Sequence, residues 1–176
     1  MTRLSPIAYD TAPERLKAGL EEELRLRGRL TNLKLIQARS PVALRVYGEW
    51  FALKDALNAR LSDRAIFIFS LAIAKAQRSE IPVGFFRRAL SQSGFDPDRL
   101  ELSGEEELLQ EFGSVLGSDA NAVSDGLWLR LAEHYDDTVL VDLAAFAGIM
   151  VATTVFANIV QAEADDDVVP FLETRP

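Results

Sequence analysis

Apolar residues recur at helical spacing along nearly the whole chain. Leu16, Leu20 and Leu24 stand at steps of four, with Gly28 as a stop. Thr11-Ala12-Pro13-Glu14 ahead of them has the form of a capping box with proline in the first turn. A connecting segment, RLTNLKLIQAR, leads to Ser40-Pro41, a cap followed by a first-position proline. Val46, Trp50, Leu53 and Leu57 then share one helical face. Ser62 caps the next helix, which contains IFIFSLAIAKA. Its β-branched and aromatic content also fits a buried strand, but its length and Ala-rich end favour a buried helix.

The pattern continues to the C-terminus. A helix is predicted through about Phe85 to Ser93, stopped by Gly94. Ser103-Gly104-Glu105-Glu106 is a second capping box, with acids where the helix dipole favours them. Leu108, Leu109, Phe112 and Leu116 form that helix's apolar face. Ser124 caps a short helix with Leu127, Trp128 and Leu131. Asp136 or Asp137 opens a long apolar helix that ends near Ala162. The tail EADDDVVPFLETRP is acidic and then apolar. No Pro/Gly/Ser-rich linker divides the chain. The expected fold class is therefore all-α, one domain over residues 1–176, with an acidic C-terminal tail over 164–176.

Composition narrows the chemistry. The 176 residues are 48% hydrophobic, enough for a sizeable core and too apolar for a disordered chain. Nineteen basic against 27 acidic residues give a net charge of −8. Such a field repels phosphate backbones, so no nucleic-acid partner is expected. There is no cysteine, which removes disulfides, thiol nucleophiles, Cys-ligated zinc and iron–sulfur clusters. One histidine, His134, leaves little for metal or imidazole chemistry; at a helix C-terminus its charge is favoured by the dipole. Asp165, Asp166 and Asp167 lack the alternating ligands and glycine turn of a calcium loop and read as a solvated tail. No metal and no cofactor is expected. The N-terminus shows no apolar signal region, and the stretch Leu143 to Ala157 falls short of a bilayer span of about 20 residues. A cytoplasmic protein without a membrane partner is the expectation.

Several short matches then fall in order. Gly28, Asn32, Ala38, Ser40 and Pro41 lie in GRLTNLKLIQARSPVALRVYGEW; Ala89 and Gly94 lie in FFRRALSQSG; Asn158 lies near the end of the last helix. In this order and spacing the chain resembles the alkylhydroperoxidase D-like, or carboxymuconolactone decarboxylase, family over about residues 13–163. The resemblance implies an all-α bundle and a homo-oligomer.

The redox branch of that family uses Cys-x-x-Cys, a His four residues later, and a Glu about three turns earlier. A thiolate must attack peroxide, a second thiol must resolve the sulfenic acid, and His and Glu must move protons. On this resemblance the cysteine positions are Ser79 and Pro82, the His position is Phe86 and the Glu position is Phe67. All four functional groups are missing, so thiol peroxidase activity is expected to be absent. Ser79 then reads as the cap of a helix from Glu80, Pro82 as a first-turn residue, and Phe67 and Phe86 as filling of the vacated pocket, both buried.

Gln77, Arg78 and Glu80 are the candidate pocket residues, with Arg78 as a carboxylate anchor and Glu80 as an acid or base. The leading expectation is a non-peroxidase, small-molecule-binding or structural homo-oligomer. The alternative is a cysteine-independent decarboxylase or lyase acting on a small carboxylated lactone. The long apolar helix has no polar face, so it must be covered on every side. Surplus apolar surface of that kind points to subunit contacts.

Overall fold

A computed structural model describes residues 2–172. Eight α-helices carry the fold: α1 (Glu14–Arg27), α2 (Asn32–Gln37), α3 (Pro41–Leu57), α4 (Asp63–Ala76), α5 (Glu80–Gln92), α6 (Gly104–Ser118), α7 (Asp125–His134) and α8 (Asp137–Val160). No strand occurs among the described residues, so IFIFSLAIAKA is helical, as its length suggests. Ser40, Ser62, Ser124 and Asp136 each accept a hydrogen bond from a backbone N–H in the first turn. Ser103 and Glu106 form the full reciprocal capping box of α6.

Three local expectations need correction. Thr11 does not cap α1; its hydroxyl donates back to the Ala8 carbonyl within a 3-10 turn, and Pro13 takes the cap position without a side-chain bond. The segment RLTNLKLIQAR is not only a connection. Thr31 accepts from the Lys34 N–H and nucleates α2 inside it. Ser79 occupies the cap position of α5, but its hydroxyl makes no capping bond.

α4 is the central element. It packs against α6, α5 and α8, with Ile66, Phe69 and Ile73 fully enclosed. Phe69 stacks on Phe112 of α6 at 5.5 Å and on Phe146 of α8 at 6.0 Å. The α4–α6 approach depends on glycine. A Cβ at Gly113 would lie 2.8 Å from the Phe69 carbonyl oxygen, and one at Gly117 would lie 2.9 Å from Ala76 Cβ. A side chain at either position would push the two helices apart.

α8 packs on α3, α4, α6 and α7. Its 24 residues, with an 18-residue window of mean hydropathy 2.1, make it long and apolar enough to cross a membrane. Here Leu143, Phe146, Ala147 and Met150 face the core, while Val141, Val155 and Ile159 remain exposed.

The acidic tail is a strap rather than a solvated end. Residues 163–172 run back over α2 and α5. Asp165 accepts from the Asn32 backbone N–H at 2.7 Å, and Asp167 pairs with Arg29 at 2.5 Å and with Arg88. Val168 is buried and rests on Gly84 of α5, where a Cβ would lie 2.8 Å from its methyl. Asp165 and Asp167 both reach Arg29, and the partners that fix them come from distant parts of the chain.

Candidate functional site: an aromatic chamber between α3, α5 and α8

The start of α5 and the middle of α3 enclose a cavity of about 300 Å³. Tyr47, Trp50 and Phe51 of α3, Phe85 and Phe86 of α5, and Met150 of α8 form its apolar wall. Three of these follow from helical spacing. Tyr47, Trp50 and Phe51 sit at i, i+3 and i+4, so one stripe of α3 turns into the chamber. The wall is internally braced. Trp50 donates its indole N–H to Met150 Sδ at 3.0 Å and packs edge-on against Phe51 at 4.8 Å. Phe85 meets Phe86 edge-on at 5.1 Å.

The opposite end is polar and comes from α1, α2 and the strap. Glu23 is buried on α1 and faces Lys34 of α2 at 3.3 Å. Burial holds the Lys34 ammonium below the ordinary lysine range; the attraction of Glu23 offsets this only in part, and nearby Arg27 adds to it. One turn along α2, Gln37 is 2% exposed, and its side-chain carbonyl oxygen has no hydrogen-bond partner among the described residues. The Arg27 guanidinium carbon lies 3.7 Å from the centre of the Phe51 ring, in cation–π contact.

The four positions of the missing redox motif fall around this chamber unevenly. Pro82 and Phe86 line it. Phe67 and Phe86 approach at 6.2 Å between ring centres. Phe86 is buried and Phe67 less completely so, with the Lys54 ammonium 5.6 Å from its ring centre. Both are largely buried, as expected, but unequally: Phe67 lies on the flank of α4 turned toward the protein surface. Ser79 is 1% exposed with its hydroxyl unpartnered.

Gln77, Arg78 and Glu80 do not line the chamber. Gln77 donates its side-chain amide to the Gly117 carbonyl. Arg78 and Glu80 are exposed. Arg78 also has φ +52°, in the left-handed region, because it closes α4; the next N–H, of Ser79, returns to the Ala74 carbonyl at 3.0 Å. The polar groups that do reach the chamber, Arg27, Lys34 and Gln37, were missed. Lys34 and Gln37 stand one turn apart, but that spacing has meaning only once NLKLIQ is read as a helix.

The helical arrangement as a whole superposes on several solved structures. A peroxidase-related protein from Ralstonia eutropha JMP134, described as an alkylhydroperoxidase AhpD core, superposes with a TM-score of 0.73 at 18% identity, covering 95% of this chain and 94% of that one. The chain has the alkylhydroperoxidase D fold.

A second peroxidase-related protein with this fold, from Silicibacter sp. TM1040, gives a TM-score of 0.75 at 14% identity over 95% of this chain and 93% of that one. The debrominase Bmp8, as a cysteine-to-alanine variant in complex with 2,3,4-tribromopyrrole, gives 0.73 at 14% identity over 97% of this chain and 96% of its own. Likeness at this level of identity is likeness of fold. No protein-family model and no curated protein sequence matches the chain. Within the alkylhydroperoxidase D fold, this chain holds no cysteine at all.

Proposed function

We propose that this protein uses the alkylhydroperoxidase D fold as a small-molecule receptor, without thiol peroxidase chemistry. One observation carries the reading. At the place where the resemblance puts a redox pair, the chain has Ser79 and Pro82, yet the space beside Pro82 is an open aromatic chamber of about 300 Å³. Its size is at the lower end of small-molecule pockets, and its apolar wall with a few polar groups at one end is the usual composition of such sites. Bmp8 accepts a flat ring on the same fold, which supports a one-ring ligand. The decarboxylase or lyase alternative gains no support, because Arg78 and Glu80 stay outside the chamber.

Trp50 lines the chamber and Trp128 is 40% exposed on α7. A Trp128→Phe background therefore leaves one reporter tryptophan. Neutral one-ring compounds should quench Trp50 saturably, and Thr153→Phe, which fills the chamber, should abolish the effect. A response unchanged by Thr153→Phe, or no saturable response, contradicts the reading.

The receptor is proposed to be a homo-oligomer joined through α8. Val141, Ala144, Gly148, Ala152, Val155 and Ile159 are exposed along one face. The pattern is nearly symmetric about Gly148, where a Cβ would meet nothing within 4 Å. An antiparallel pair of α8 helices crossing there sets Val141 against Val155 and Ala144 against Ala152, as a two-fold interface requires. Light scattering after size exclusion should give a dimer or larger, and Gly148→Arg a monomer. A wild-type monomer, or a chain that partitions into lipid vesicles through this face, contradicts the assembly.

A further inference from the structure

The polar end of the chamber holds one cation more than it can neutralise. Lys34 faces Glu23 at 3.3 Å. Arg29 is shared between Asp165 at 3.6 Å and Asp167 at 2.5 Å, and Arg88 pairs with Asp167. Arg27 has no carboxylate partner among the described residues. Its Nε is buried without a hydrogen bond, its guanidinium carbon lies 3.7 Å from the Phe51 ring centre, and it lines the chamber. A cationic surplus at this one place is the reverse of the chain's net charge of −8. Buried donors without acceptors are costly, and sites tolerate them where a ligand supplies the acceptor. Gln37 is a second, independent sign. It is 2% exposed, lines the same end and leaves its carbonyl oxygen unpartnered.

Resting on the reading of the chamber as a receptor site, we infer that its ligand is an organic monoanion. Its apolar ring lies between Trp50, Phe86 and Met150, and its single carboxylate is clamped by Arg27. A ring substituent that donates a hydrogen bond meets Gln37. Guanidinium suits this task because its planar donors match a carboxylate two-to-two, and its contact with the Phe51 ring limits its freedom in advance. The Glu23–Lys34 pair is neutral as a unit and sets the limit: one anionic group is accommodated, and a second would meet Glu23.

The test compares 4-methylbenzoate with its neutral isostere 4-methylbenzamide by isothermal titration on the full chain. Wild-type protein should bind the carboxylate at least tenfold more tightly, and raised salt should erode the preference. Arg27→Gln should remove the preference, and an unchanged thermal unfolding transition followed by circular dichroism certifies that the variant is folded. Arg27→Lys should restore part of it. Equal binding of both compounds, or a preference that survives Arg27→Gln, overturns the inference while the receptor site stands. Failure of both compounds to bind overturns the receptor reading with it.

Discussion

Phe67 and Phe86 face each other across the start of α5 with ring centres 6.2 Å apart and planes inclined by 40°. The resemblance sets a proton-relay Glu and His at these two positions; here both are apolar, and together with Trp50 they form an aromatic array. Burial distinguishes their contributions. Phe86→Ala should cost about 3–5 kcal/mol, because a fully enclosed ring leaves a cavity behind. Phe67→Ala should cost about 1–2 kcal/mol, since that ring is only partly enclosed. Urea unfolding of the two variants checks the order; equal costs contradict it.

Gly113 sets how closely α6 approaches α4. An added methyl would lie 2.8 Å from a backbone carbonyl oxygen, which cannot rotate away as a side-chain end can. Gly113→Ala should destabilise the fold by about 1–3 kcal/mol, read as a lower unfolding midpoint at unchanged denaturant slope. Gly104→Ala, where a Cβ meets nothing, is the control.

Arg78 sits at φ +52° as the residue that ends α4. A non-glycine residue is strained there, and glycine is not. Arg78→Gly should therefore leave stability unchanged or raise it by up to about 1 kcal/mol. A marked loss would assign Arg78 a contact that its exposed position does not suggest.

The strap responds to acid. The Arg29 guanidinium bonded to Asp167, with Arg88 beside it, holds that carboxyl below its ordinary value of 3.8. A depressed folded-state pKa contributes stability above the unfolded value and loses it as pH falls through the folded one. The strap should therefore stay closed at neutral pH and loosen below about pH 3.8. Protection of the Val168 amide, bonded to the Asp165 carbonyl at 2.8 Å, should fall in that range when exchange is referred to the intrinsic rate at each pH. Asp167→Asn should exchange faster at neutral pH and respond less to acid. Equal pH profiles would show that Val168 packing alone secures the strap.

Much of this fold was legible because its signals are local. Ser40, Ser62, Ser103, Ser124 and Asp136 cap helices as their positions suggest, and the apolar steps of α6 and those of α3 at Trp50 and Leu57 lie on faces that pack, while Val46 at the start of the α3 series is exposed. The strap was not legible. Asp165 and Asp167 find Asn32, Arg29 and Arg88 across more than seventy positions of sequence, and no period along the chain encodes such pairs. The site was half legible. Pro82 and Phe86 reach the chamber, and the sequence order around Gly94 located them. Arg27, Lys34 and Gln37 were hidden because each alone is an ordinary surface residue type. Only the folding of α2 against the end of α1 brings them to one wall.

The chamber itself admits the most direct measurement. Xenon enters apolar cavities that lack ordered water, so diffraction from a crystal pressurised with the gas should show density between Trp50, Phe86 and Met150. The same site should be empty of xenon in Thr153→Phe. No xenon at this position in the wild-type protein, with side chains closed over the space, would mean that the aromatic residues fill the space beside Pro82 and that no receptor chamber exists.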